Sequence, residues 1–235
     1  MWHDRLMYVV TIDQRHSRRA EDRVPRLLEA LAGVPCVSAF DRTAGDEVQG
    51  LLDDPAAVRS ALLIALREGE WHCGVGAGEV DDDSYSTGTR AGRGPAYLAA
   101  RRAVEAAKGL PGSVAVRVPA DAGGRAERGA AGGRAGSGAG GGIAEDSAPA
   151  WAADCEAVWA LVAPLVLHRT EAQWRVVDVV DTSDTQTAAA AELSIAPASV
   201  TGALKLSRIR EERAAYPALD RLLSGAHAAA TGATP

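Results

Sequence analysis

The chain has 235 residues, is 47% apolar and carries a formal net charge of −6, which allows one large domain or two small ones around a sizeable core. The acidic balance excludes the broad positive field of a protein that coats nucleic acid, yet leaves room for a local DNA-reading surface. Cys36, Cys73 and Cys155 are odd in number and lack CxxC or Cys/His spacing, so they read as reduced, small apolar residues of a cytoplasmic chain.

The start, "MWHDRLMYVV", has no basic n-region followed by a long apolar core. Residues 6–12, "LMYVVTI", are a continuous apolar and β-branched run ending at Asp13, a buried strand. After the polar turn "DQRHSRR", Val24, Leu27, Leu28 and Leu31 fall on one helical face, with Gly33 past its end. "VSAFDRTAG" and "EVQGLL" pair as short antiparallel strands around Gly45-Asp46. "DPAAVRSALLIALREG" reads as a helix with an early Pro and a terminal Gly. "WHCGVGAGEV" is a Gly-rich strand, of the kind found where another backbone or a ligand comes close. The helix "GPAYLAARRAVEAAKG" and the strand "SVAVRVPA" follow. The order β-α-β-β-α-β-α-β predicts an α+β fold, a ferredoxin-like mixed sheet with helices on one face, over residues 1–121.

Residues 122–148, dominated by Gly and Ala, read as a flexible linker with too little apolar surface to offset ordering. A helix is expected over 149–168, kinked or divided by Pro164. Its apolar run 157–167 is too short to span a bilayer, so no membrane partner is expected. Three more helices follow: "TEAQWRVVDVVD", "DTQTAAAAELSI" with Asp184 as N-cap, and "APASVTGALKLSRI". The last two, separated by "LSIAP", form a helix-turn-helix pattern in an all-α module over 149–224, with a disordered tail over 225–235. The recognition helix is then 197–208. Its small residues let it sit deep in the major groove of double-stranded DNA. Ser199, Thr201, Lys205 and Arg208 reach bases or phosphates, and Gln186 and Thr187 touch the backbone from the preceding helix. A plain three-helix packing unit is the competing reading. Regulators of this kind pair to read two half-sites, so a homodimer is expected.

Asp13 ends a buried strand, and Asp46 and Glu47 sit at a hairpin tip. In a ferredoxin-like sheet these strand ends lie side by side, where carboxylates repel unless a cation separates them. Asp13, Asp46 and Glu47 are therefore candidate ligands of Mg²⁺ or Mn²⁺, ions that also bridge phosphate oxygens. Such a site would bind a nucleotide ligand and support attack on its α-phosphate. Gly45 lets phosphate approach the backbone, and Arg18 can pair with it. The structural alternatives are a helix or turn cap for Asp13 and an exposed turn for Asp46-Glu47.

The segments "IDQRHSRRAEDR" (12–23), "RTAGDEVQGLL" (42–52), "CGVGAGEV" (73–80) and "GPAYLAARRAVE" (94–105) occur together in one order. In these motifs the chain resembles the SatD family of bacterial proteins over most of residues 6–108, and its helix-turn-helix fits that family's C-terminal region. More distantly it resembles class III nucleotidyl cyclases. That likeness implies metal positions at Asp13 and Asp46, and Arg101 or Arg102 in place of the transition-state Arg. Tyr97 or Leu98 stands where the cyclase "GxxxNxAxR" helix has its Asn, and Arg93 stands near the usual acidic base-reading position. The departures favour nucleotide sensing over turnover. The expected function is a DNA-binding transcriptional regulator with a nucleotide- and metal-sensing cyclase-like domain. A metal-dependent nucleotidyl transferase or cyclase is one alternative, and a non-catalytic interaction protein is another.

Overall fold

The computed structural model describes residues 7–17, 19–43, 45–81, 92–120, 122 and 147–232. The first part of the chain forms β1 (Tyr8–Gln14), α1 (Val24–Leu31), β2 (Ser38–Arg42), β3 (Glu47–Leu52), α2 (Pro55–Glu68), β4 (Trp71–Ala77), α3 (Pro95–Ala107) and β5 (Val114–Arg117). This is the order of elements expected from the hydrophobic pattern. The strands make one mixed sheet in the order β2-β3-β1-β4-β5. Every pairing is antiparallel except that of β4 with β5. The run β2-β3-β1-β4 is the ferredoxin-like arrangement, with β5 added at one edge.

Alternation along the strands separates two apolar faces. Tyr8, Val10, Ile12, Val48, Leu52, Cys73, Val75, Val114 and Val116 face one way, into the main core. Met7, Val9 and Leu51 face the other, against Ala96, Tyr97 and Ala100 of α3. Helices therefore cover both faces of the sheet, not one as expected. The glycines of β4 make the second layer fit. A Cβ added at Gly74 would lie 2.2 Å from the backbone nitrogen of Val104, and one at Gly76 would lie 2.1 Å from the Ala96 carbonyl oxygen. The close neighbour that "CGVGAG" signalled is a helix backbone.

The rest of the chain is helical: α4 (Ala148–Leu167), α5 (Glu171–Thr182), α6 (Gln186–Glu192), α7 (Pro197–Ser207) and α8 (Ile209–Thr231). Ser147 caps α4 by accepting from the Ala150 amide at 3.3 Å. By length and composition α4 alone among the described helices is long and apolar enough to cross a membrane. In the fold its Ala152, Cys155, Trp159, Val162, Ala163 and Val166 join the sheet core. Pro164 does not divide it into two elements. The proline leaves one bond unmade, to the carbonyl of Ala160, and that residue is exposed to water.

The expected disordered tail is also corrected. The helix α8 continues through 225–231, and Gly225, Ala226, His227, Ala228 and Ala230 are buried. Leu219, Leu223, Ala226 and Ala230 pack into the same core as α2, α4 and the sheet. A boundary at 149 therefore separates stretches of sequence and not separate cores. Only α5, α6 and α7 close on a cluster of their own: Val176, Val177, Ala190, Val200 and Leu204, with Ile209 from the start of α8. The linker expected over 122–148 falls almost wholly outside the described residues. Of its described part, Ala122 is buried, and Ser147 and Ala148 belong to the start of α4.

Candidate functional site

The register of the sheet places Asp13 between Glu47 on β3 and His72 on β4. The β2–β3 hairpin turns at Gly45, whose φ of 56° is left-handed. The Asp46 carbonyl then accepts from the Gln14 amide at 3.2 Å, which ties the hairpin tip to the end of β1. Asp13 and Asp46 thus line one cavity of about 640 Å³. Glu47 is the cross-strand neighbour of Asp13, but its carboxylate turns away to accept from the Thr43 hydroxyl at 2.5 Å and lines a second cavity with Gln49, Arg93 and Arg101. The three expected ligands therefore form a pair and a single. Among the described residues no group of three His, Cys, Asp or Glu is placed to hold a metal ion. Asp13 instead pairs with an ammonium, Lys108 Nζ at 3.6 Å from Oδ2. Burial raises the Asp13 pKa, Lys108 opposes the rise and Asp46 adds to it.

The expected nucleotide contacts do not gather around this pair. Arg18 lies outside the described residues. Gly45 is exposed at the hairpin. Arg101 lines the second cavity, and Arg102 donates to the Val118 carbonyl at 3.0 Å. Other cations line the first cavity instead: Arg15 and Arg19 from the loop after β1, and Lys108 from the end of α3. The sequence carried half of this signal in "DQRHSRR", a basic run directly after a buried strand. It gave no cue that Lys108 and His72 would arrive beside it.

Local geometry fixes these groups. The Arg15 amide donates to the Glu70 carbonyl at 2.8 Å, and its guanidinium donates to the Ser113 hydroxyl. His16 has a left-handed φ of 55°, and its carbonyl accepts from the Arg19 and Ala20 amides at 2.8 and 3.0 Å. This tight turn brings Arg19 back to the cavity wall. His72 is pushed down to about 4, first by burial and then by Arg15 and Lys108. The surrounding field is therefore positive at the imidazole.

In the C-terminal helical region α6 and α7 are two short helices joined by a tight turn. Thr185, not Asp184, caps α6: its hydroxyl accepts from the Ala188 amide at 3.1 Å. The turn closes through Ser194 at a φ of 55° and an Ile195 amide donating to the Ala190 carbonyl at 3.0 Å. Ala190, Val200 and Leu204 are buried between the helices. Gln186, Thr187, Ser199, Thr201, Lys205 and Arg208 are all exposed. Gln186 and Thr201 meet across the pair, 3.5 Å between Oε1 and Oγ1. Arg208 lies just past α7, in a left-handed conformation, and bonds Glu211 at 2.8 Å.

Charged contacts join this unit to the sheet domain. Arg67 of α2 bonds Asp178 of α5 at 2.8 and 2.6 Å and lies over the Trp174 ring. Arg169 lies over the same ring, donates to the Ser207 carbonyl at the end of α7, and bonds Glu212 of α8 at 2.5 Å. Comparison of the chain with family models, curated proteins and solved structures gives no match. The functional reading therefore rests on residues and geometry.

Proposed function

We propose that the chain is a cytoplasmic, DNA-binding transcriptional regulator whose sheet domain senses a small ligand. The observation that carries this reading is the α6–turn–α7 unit. It buries Ala190, Val200 and Leu204 inside and leaves Gln186, Thr187, Ser199, Thr201 and Lys205 on an open surface. Small and hydroxyl-bearing side chains at the start of α7 suit close approach to base edges, while Lys205 and Arg208 supply phosphate contacts.

Charge sets the character of the binding. Across 171–213 there are five Lys and Arg (Arg175, Lys205, Arg208, Arg210, Arg213) against seven Asp and Glu, a net of 5 − 7 = −2. Two phosphate contacts per copy give a slope of log affinity against log salt of about −2. The module binds non-specific DNA weakly and depends on base contacts for affinity.

The test is selection of duplex DNA from a random pool, then fluorescence anisotropy over a salt series. Lys205→Ala is expected to weaken all sequences alike and make the slope shallower by about 1. Ser199→Ala is expected to relax preference at one base position. A full-length chain that enriches no sequence and shows no salt-dependent binding overturns the proposal.

A further inference from the structure

We propose that the cavity at the end of β1 binds the phosphate group of a small ligand through Arg15, Arg19 and Lys108, with no divalent ion required. This deepens the sensor half of the function proposed above by naming the chemistry its ligand presents.

The cavity is lined by charged and polar residues throughout, and its lining holds three full cations against the two carboxylates Asp13 and Asp46. Those cations come from both ends of the sequence of the sheet domain and meet at one place. Arg15 is held at one guanidinium nitrogen by Ser113, while its buried Nε has no hydrogen-bond partner among the described residues. The same is true of His72 Nδ1 in the same wall. A buried donor left open is unfavourable unless something completes it. Phosphate oxygens would complete the guanidinium in the bidentate manner that arginine favours.

The alternative, a metal between carboxylates, is served poorly by this arrangement. Lys108 already stands at Asp13, and Glu47 is bonded to Thr43 in the other cavity. A volume of about 640 Å³ exceeds what a bare phosphate fills. Asp13 and Asp46 repel an anion but accept from hydroxyl or amino groups. The ligand class is therefore a phosphate ester whose organic part carries such donors.

Thermal unfolding of the full chain in EDTA tests this directly, with ribose 5-phosphate, AMP and inorganic phosphate as probes and ribose and adenosine as controls. The phosphorylated probes are expected to raise the midpoint and the controls to leave it unchanged. An inorganic phosphate response equal to that of the esters keeps the phosphate contacts of Arg15, Arg19 and Lys108 and overturns the ester as ligand class. Arg19→Ala, at an exposed loop position, and Lys108→Ala are expected to weaken binding at least tenfold. No shift with any phosphate probe overturns the proposal, and so does a shift seen only with added Mg²⁺. Loss of binding in Arg101→Ala but not in Arg19→Ala moves the site to the second cavity and also overturns it. DNA anisotropy on the same samples separates the two readings: phosphate binding without DNA binding removes the regulator and leaves this site standing.

Discussion

Arg169 carries a full charge into a place that water does not reach. Its side chain is 0% exposed and that of Glu212 is 3% exposed. The pair is held by the Ser207 carbonyl, the Trp174 ring and the Tyr216 hydroxyl, which donates to Glu212. Removing one partner strands the other, at about 3–5 kcal/mol. Glu212→Ala is expected to lower the unfolding free energy from urea denaturation by that amount, and the double variant Arg169→Met/Glu212→Leu to recover much of it. A single variant as stable as the double one would contradict this. A second prediction concerns acid. His227, packed beside Tyr8 at 5.7 Å between ring centroids, is pushed down to about 4, chiefly by burial, with Glu79 opposing. Its folded pKa lies below the unfolded value of about 6.5, so the unfolded chain binds more protons between the two. His227 therefore contributes stability above about pH 6.5 that is lost as pH falls toward 4. His227→Leu is expected to flatten the fall in melting temperature between pH 6.5 and 5, above the range where most carboxylates titrate. At this scale the sequence was partly legible. The meeting of Asp13 with Asp46 follows from a strand end and a hairpin tip in a ferredoxin-like sheet. The separation of Glu47 does not, because it depends on the Thr43 hydroxyl that closes the same hairpin. Lys108 and His72 reach the site only through tertiary register.

Elements were the most legible level. The eight strands and helices from β1 to β5 follow from apolar period, Gly stops and early prolines. The exceptions each have a local cause. Pro164 stays within α4 because the carbonyl it deprives belongs to exposed Ala160. The cap of α6 moves to Thr185 because that hydroxyl, one residue closer, meets the Ala188 amide. The β4 strand gives the sharpest test. Its Gly74 and Gly76 admit the backbone of α3 at distances that no side chain allows. Gly74→Ala is expected to force the helix outward and cost about 1–3 kcal/mol, as overpacked cores do. Chemical denaturation measures it, and an unchanged midpoint would mean that α3 is not seated on β4. Since α3 ends at Lys108, the same substitution is expected to weaken phosphate binding at the first cavity.

For the whole molecule, the sequence conveyed the α+β class and the ferredoxin-like order but placed the helices on one face and ended the fold too early. The reason lies in "SGAHAAATGATP". Small residues there look like a frayed end, yet they permit close packing: a Cβ at Gly225 would lie 2.6 Å from the Trp151 ring. The small cluster of α5, α6 and α7 is consequently inserted between two helices, α4 and α8, that belong to the sheet's own core. Urea unfolding of the full chain is expected to show one cooperative transition by both tryptophan fluorescence and circular dichroism. A chain ending at 208 is expected to lose it, because Leu219, Leu223 and Ala226 no longer cover the sheet. Retention of a sharp transition by that truncation would show that the sheet folds without α8.

This placement of α8 has a consequence for biosynthesis. The sheet strands leave the ribosome early, but one apolar face stays open until residues near 230 emerge, and a nascent chain holds that surface bare for the whole interval. The helices α6 and α7 are made before α8, which packs into the sheet's core. A chain clipped within α8 thus leaves open the core that Leu219, Leu223, Ala226 and Ala230 cover.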